Sequence, residues 1–200
     1  MAARPRLGPD RLNEVLQAAM SVFARAGFHQ ALMEDIAQEA GLAKGTLYLY
    51  FKNKDDLIAA ILHRLFSGEM HALEDLQAAD APARERLLTL TRRLADQMKR
   101  LSLLLPIWFE FYALAARQKG VRQFFKQYFA SYRAPLAALI QQGIARGEFR
   151  EVDAEQAALA FIALFEGLVL LWAIDPQSVS AETTPEAAML LLLDGLSARP

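Results

Sequence analysis

The chain contains no cysteine, and this absence excludes several classes of protein. Without thiols it can form no disulfide scaffold, no thiolate zinc site and no cysteine nucleophile. It also lacks an apolar segment directly after its basic start, MAARPRLGPDR, so no secretory signal is recognisable. We therefore expect a reducing, cytoplasmic location.

The usual signatures of a catalytic or metal site are missing as well. His29, His63 and His71 do not have the spacing of metal ligands, and there is no glycine-rich phosphate loop or nucleophile elbow. We predict no metal, no cofactor and no enzymatic activity. One alternative stays open, a helical enzyme that uses Glu110 and Glu166, two carboxylates inside apolar stretches.

The chain also lacks a large excess of charge of one sign. Its formal net charge is −1, so any role in binding nucleic acid must rest on a local basic patch. At 200 residues and 54% hydrophobic content, it is long enough and apolar enough to bury a substantial core.

Patterns typical of β-strands are absent. Apolar residues recur at three- and four-residue spacing, and alanine and leucine are abundant, which predicts an all-α fold of about nine helices. Asn53 and Asp153 are expected to cap helices, and Gly27 to end the first one. The expected helices cover approximately residues 9–25, 33–40, 43–50, 53–77, 81–100, 101–117 with a break at Pro106, 121–145 with a bend at Pro135, 154–174 and 184–195.

Two apolar stretches raise the question of a membrane. Residues 101–116 are short for a bilayer and contain Pro106 and Glu110, and residues 157–174 carry Glu166 beside Gly167. A charge at the bilayer centre is costly. We therefore predict burial against other helices and no membrane partner.

The segment KGTLYLYFKNK, residues 44–54, carries lysines and tyrosines and no acidic residue. Two short helices separated by Gly41-Leu42-Ala43 have the spacing of a helix-turn-helix. Leu47 and Phe51 can face the core, which leaves an outward face of the kind that enters the major groove. The outward residues are Lys44, Gly45, Thr46, Tyr48 and Leu49, and Lys54 is expected to reach a phosphate.

AGLAKGTLYLYFKNKDDL, with the upstream AAMSVFARAGF and MEDIAQEAG, resembles the TetR family of bacterial transcriptional regulators, and the rest of the chain is similar to BetI-type regulatory domains. The family usually has Ser or Thr just before the second helix, where this chain has Gln30-Ala31-Leu32. The resemblance implies base-proximal roles for Lys44, Gly45, Thr46 and Leu49, phosphate contacts for Tyr48, Tyr50 and Lys54, and internal packing for Leu47 and Phe51.

Two domains are predicted, a helix-turn-helix DNA-binding domain of residues 1–55 and a ligand-binding and dimerisation domain of residues 56–200. Two other interpretations remain. The basic segment can be a solvated helix face, and the protein can be a helical interaction module that does not bind DNA.

Aromatic residues are dense from Met98 onward, beyond what a small helical core usually needs, which favours a cavity for an organic ligand. Glu110 and Glu166 either pair with Arg117, Arg122 or Arg133 or serve as counter-charges for a ligand. The predicted ligand-binding residues are Met98, Trp108, Phe109, Glu110, Phe111, Tyr112, Phe125, Tyr128, Phe129, Tyr132, Phe165 and Glu166.

The last two helices are apolar on too many sides for a monomer, which predicts a homodimer. A two-fold dimer fits a pseudo-palindromic operator in double-stranded DNA. We expect a repressor that a small, mostly apolar or aromatic effector releases from this operator. The predicted interface residues are Phe161, Gly167, Leu170, Leu171, Met189, Leu192 and Leu193.

Overall fold

The computed structural model describes the backbone of residues 8–198 and the side chains of all of these except residues 29, 65–74, 77 and 103. Over this range the chain forms nine α-helices and one 3₁₀ turn, Ser102–Leu104, which confirms the all-α prediction. The helices are α1 (Pro9–Gln30), α2 (Met33–Glu39), α3 (Lys44–Tyr50), α4 (Lys54–Ala78), α5 (Ala83–Arg100), α6 (Leu105–Arg117), α7 (Lys119–Ala145), α8 (Ala154–Ile174) and α9 (Thr184–Leu196).

The chain divides into two units by its internal contacts. The first unit contains residues 1–67 and 103–124, and the second contains residues 68–102 and 125–200. Helix α6 thus belongs with α1 to α3, whereas the sequence assigned it to the second domain. The functional boundary at residue 55 stays a prediction.

Helix α1 is kinked close to its predicted end. Gly27 has φ 74° and ψ 160°, a backbone conformation that glycine adopts without the steric cost of a Cβ. The helical register resumes for one more turn and ends at Gln30. The Phe28 side chain, directly after the kink, is buried, and the centre of its ring lies 5.8 Å from that of Phe23.

Pro106 begins a helix instead of kinking one. It occupies the first turn of α6, where proline has no intrahelical hydrogen bond to lose. The predicted break therefore falls just before it, at the 3₁₀ turn Ser102–Leu104. Pro135 lies inside α7, as the sequence indicates.

The second unit is built around a core shared by α5, α7, α8 and α9. Arg86 is buried within it at 2% exposure, and its guanidinium donates to the carbonyl of Leu76 at 3.3 Å and to Oε1 of Gln142 at 2.9 Å. Burial, followed by the nearby charge of Arg146, lowers the pKa of Arg86. The fully buried apolar side chains include Ala83, Leu87, Leu136, Leu139, Ile140, Ala158, Phe161, Met189 and Leu193.

A short clasp joins the loop before α8 to the segment after α9. Phe149 and Ser197 form an isolated antiparallel bridge, Arg150 N donates to Leu196 O at 2.9 Å, and Ala198 N donates to Glu148 O at 3.2 Å. The Phe149 ring lies so close to Gly143 that a Cβ there would approach its Cδ2 atom to 2.4 Å. The clasp and this close approach fix the end of α7 against α9.

Helix α8 begins as its sequence predicts, because Asp153 Oδ1 accepts from Glu155 N at 2.9 Å and Gln156 N at 3.2 Å. By length and composition alone, it is the one helix in the described residues that could cross a bilayer, with a window of mean hydropathy 2.3. A third of that window is buried within the protein. Core helices of soluble proteins satisfy the same criterion, so the finding is weak evidence for a membrane span.

Candidate nucleic-acid interface

The turn between α2 and α3 is held by hydrogen bonds from two directions. Gly41 takes φ 62°, and Leu42 N donates back to Ala37 O at 2.8 Å. From α1, the guanidinium of Arg11 donates to Ala40 O at 3.1 Å and Gly41 O at 3.3 Å. The angle between the two short helices is therefore fixed by the fold of this unit itself.

The start of α2 uses a capping arrangement that the sequence analysis did not identify. Leu32 occupies the N-cap position, where its side chain has no acceptor to offer. The carboxylate of Asp35 instead accepts the Leu32 backbone N–H at 3.2 Å. One of the unpaired donors at this helix end is thereby satisfied, while the Leu32 side chain is 55% exposed.

Helix α3 presents the two faces that its sequence predicts. Leu47 is fully buried and Phe51 is 6% exposed, so both pack into the core of the first unit. Lys44, Gly45, Tyr48 and Leu49 are exposed, and Thr46 and Tyr50 are half-buried beside them. The arrangement can bring short side chains to base edges and longer ones to the flanking phosphates.

An acidic residue lies beside the basic segment in space, although none lies within it in sequence. Lys44 Nζ forms an ion pair with the carboxylate of Glu34 on α2, and it also lies 5.9 Å from the centre of the Tyr48 ring. The hydrogen bond between the two side chains raises the pKa of Lys44 and lowers the pKa of Glu34. Sequence reasoning missed Glu34 because the two residues belong to different helices.

Lys54 and Glu110 meet at the main chain of Phe28, just after the kink in α1. Lys54 Nζ donates to Phe28 O at 2.7 Å and lies 4.6 Å from the centre of the Phe28 ring. Glu110 Oε2 accepts from Phe28 N at 3.2 Å, and the Phe111 ring packs edge-on against Phe28 at 5.7 Å. These contacts join the end of α1, the start of α4 and α6 within the first unit.

The predicted ligand-binding residues fall into two sets. In the first unit, Phe111 is 1% exposed and Trp108 8%, and Tyr112 contacts the Trp108 ring edge-on at 5.4 Å. Phe109 lies 6.4 Å from Tyr112. The structure thus brings the α6 aromatic residues together around the core of this unit, and their contact with a ligand stays a prediction.

In the second unit, aromatic rings line one side of α7. Phe125 stacks on Phe129 at 6.0 Å, and Tyr128 meets both Phe129 and Tyr132 edge-on at 5.2 and 5.1 Å. Met98 is buried on α5, and Phe165 and Glu166 are half-buried on α8. Tyr132 is 6% exposed, and its hydroxyl has no hydrogen-bond partner within the described part of the chain.

Two of the three arginines proposed as partners for Glu110 and Glu166 have other contacts. Arg122 donates to Ala115 O and Ala116 O at 2.9 Å and so caps the end of α6. Arg133 pairs with Glu155 at 2.9 Å. For Glu110, the structure supplies a backbone amide as a partner, which favours the structural interpretation of this residue over the counter-charge interpretation.

The predicted interface residues separate into covered and uncovered side chains. Phe161, Met189 and Leu193 are 2%, 0% and 0% exposed, so the protomer's own core already covers them. Of the other predicted residues, Leu170 and Leu171 are 43% and 52% exposed and Leu192 is half-buried. Leu159, Ile174 and Leu191 add further exposed apolar side chains on α8 and α9. Gly167 lies among them on α8, and a Cβ added there would meet nothing within 4 Å.

Two protein families match the chain in two separate segments. The family described as bacterial regulatory proteins, tetR family, matches residues 15–61, which include α2 and α3. The family described as BetI-type transcriptional repressor, C-terminal, matches residues 82–197, more than half of the chain.

Similar proteins agree with these matches. The uncharacterized HTH-type transcriptional regulator YfiR of Bacillus subtilis is 31% identical over 158 residues, 78% of this chain and 74% of that protein. A TetR transcription regulator from Haloarcula marismortui has the same fold, with a TM-score of 0.83, 24% identity, and 95% and 100% coverage. The regulator FadR from Bacillus subtilis, in complex with stearoyl-CoA, has a TM-score of 0.75, 25% identity, and 92% and 98% coverage.

The bond between Glu110 and Phe28 predicts different effects for two substitutions. Glu110→Ala leaves the Phe28 N–H without its acceptor, which should cost about 1–3 kcal/mol of unfolding free energy. Glu110→Gln keeps an acceptor oxygen and should retain most of the stability. Denaturant unfolding of both variants measures this difference, and equal stability of Glu110→Ala and the wild type would contradict the structural role.

Proposed function

We propose that this chain, which belongs to the tetR family of bacterial regulatory proteins, represses transcription by binding duplex DNA until a small, mostly apolar molecule releases it. The observation that carries the proposal is the outward face of α3, which is held in place by Arg11, Gly41 and Leu47 and rimmed by lysines and tyrosines. A helix fixed in this way can enter the major groove without the ordering cost of a flexible segment.

In this proposal, some residues of α3 contact bases, and other residues of α3 and the start of α4 contact phosphates. Lys44, Gly45, Thr46 and Leu49 face base edges, while Tyr48, Tyr50 and Lys54 meet phosphates. The Lys54 ammonium donates to Phe28 O, which holds it at the start of α4, next to the C-terminal end of α3. Because the net charge of the whole chain is −1, this local patch must supply the attraction.

Replacing Lys54 with Ala tests this assignment. Binding should weaken about equally on every DNA sequence, and the slope of log K against log salt should fall by about 0.9 per subunit, as for one lost phosphate contact. Lys126→Ala, which removes an exposed lysine from α7, provides the matched control and should leave the slope unchanged. The proposed role is wrong if Lys54→Ala keeps the wild-type slope while changing the preferred sequence.

A homodimer would supply the second recognition helix. Leu159, Ala163, Gly167, Leu170 and Ile174 share one side of α8 at three- and four-residue spacing, and all but the half-buried Gly167 are exposed. Such a stripe is apolar enough to need a cover, and a second copy of the same stripe is self-complementary about a two-fold axis. Two recognition helices could then reach successive major grooves of a pseudo-palindromic operator.

The substitution Gly167→Leu tests dimerisation without an expected effect on the folding of the subunit. A Cβ at this position meets nothing within 4 Å in the protomer, so we expect the subunit to stay folded while the dimer contact is overpacked by about 1–3 kcal/mol. Sedimentation should show dissociation at a higher concentration than for the wild type. Gly120→Leu, at an equally open position on α7, is the control and should not change the dissociation constant.

The effector is proposed to bind in the second unit, along the aromatic side of α7. FadR from Bacillus subtilis, whose fold is similar, was crystallised with stearoyl-CoA, a molecule with a long apolar chain and several hydrogen-bond acceptors. In this chain the rings of Phe125, Tyr128 and Phe129 offer apolar contact, and the Tyr132 hydroxyl offers a donor. The ligand must favour one arrangement of the dimer, since equal affinity for both would shift nothing.

Tyr132→Phe should stabilise the free protein and weaken its response to effector. A buried hydroxyl without a partner costs about 1 kcal/mol or more, so its removal should raise the Tm by about 2–4 °C. Calorimetry measures the first effect, and release of DNA by added stearoyl-CoA measures the second. Tyr128→Phe, one turn earlier and half-buried, is the control. A lower Tm for Tyr132→Phe would mean that the hydroxyl has a structural role.

A further inference from the structure

The most outward line of α3 is apolar. Residues two positions from a buried one lie about 200° around a helix, so Gly45 and Leu49 lie opposite the fully buried Leu47. Leu49 is 53% exposed, and Gly45 lies one turn before it on the same line. We call this pair the outer ridge of α3.

The fold does not require the glycine in the outer ridge. Its φ is not positive, unlike those of Gly27, Gly41 and Gly147, and a Cβ built on it meets nothing within 4 Å. Alanine at this position would favour the helix, because glycine is the poorer helix former. The missing side chain therefore leaves space for something outside the protomer.

The polar groups of α3 lie to the sides of the outer ridge. Lys44 is held sideways by Glu34 and by the Tyr48 ring, and Thr46 is half-buried on the opposite flank. The part of α3 that would enter deepest into a groove thus carries the two methyl groups of Leu49. Beside them lies the backbone of Gly45, which no side chain covers. Neither residue of the ridge has a side-chain donor or acceptor.

We propose that Leu49 reads the C5-methyl group of a thymine in the operator and that Gly45 gives that methyl group room to approach. Among the base edges in the major groove, the thymine methyl is the apolar feature, and apolar side chains recognise it. A single exposed leucine is ordinary on a protein surface. Leu49 differs from such a residue because it lies opposite Leu47, beside a glycine that the fold does not need. This inference rests on the proposed binding of duplex DNA.

The test begins with an operator selected by the wild-type protein from a random pool of duplex DNA. Each thymine of one half-site, and its symmetry mate in the other, is then replaced by deoxyuridine, which removes only the methyl group. Burial of one such group corresponds to about a fourfold change in affinity. We expect one position at which the double replacement weakens wild-type binding about fifteenfold, the product of two independent losses of slightly less than fourfold each.

Three variants assign the effect to the outer ridge. Leu49→Ala should bind the thymine and deoxyuridine operators equally, because the contact that senses the methyl group is gone. Leu32→Ala removes a leucine of similar exposure from the start of α2 and should keep the fifteenfold ratio. Gly45→Ala should raise the Tm and yet weaken binding to the thymine operator, a combination that a purely structural role for Gly45 would not produce.

The possible outcomes distinguish the proposed DNA binding from the proposed thymine contact. If no duplex is selected in a salt-dependent manner, the proposed DNA binding fails and this inference fails with it. If the wild type binds a selected operator but tolerates every deoxyuridine replacement, only the thymine contact is wrong. If Leu49→Ala keeps the wild-type ratio, another residue reads the methyl group, and the assignment to Leu49 is overturned.

Discussion

The arrangement of the first unit depends on how the main chain of Phe28 is held. Its N–H is bound by Glu110 from α6, and its carbonyl by Lys54 from the start of α4. The peptide groups concerned follow a kink at Gly27, where the regular helical bonds of α1 are interrupted, so they need partners from elsewhere. Three helices therefore meet at one backbone segment, and a shift of α6 must either move that segment or break a bond to it.

The pairing of Lys44 with Glu34 has a different physical meaning. Both side chains are about half exposed or more, so the pair contributes little to folding stability. Its effect is on the electrostatic field in front of α3, where one of the few positive charges of the patch is already neutralised. A moderate field limits binding to arbitrary DNA, since the attraction of phosphates is independent of sequence. Sequence selection then depends more on contacts within the groove.

Local signals in the sequence were sufficient for most helices and for the faces of α3. Asp153 and Asn53 cap their helices as predicted, because capping depends on residues only two or three positions apart. The burial of Leu47 followed from helical spacing. By contrast, the partner of Glu110 lies 82 residues away and is a backbone N–H, which no pattern of side chains can indicate. The same holds for the burial of Met189 and Leu193 inside the protomer, since an apolar residue looks alike in a core and in an interface.

The contacts of the second unit also bear on the order in which the chain folds. Helices α1 to α3 contact one another over short separations, whereas α9 packs against α5 and is clasped through Phe149 and Ser197 across much longer stretches of chain. Contacts of large sequence separation form late, because the entropy of closing the loop must be lost before they stabilise anything. A newly made chain should thus acquire its helix-turn-helix before the surface of α8 and α9 is complete. In the proposed dimer two recognition helices bind one operator, so repression would begin only after the surface of α8 and α9 is complete and two chains have associated.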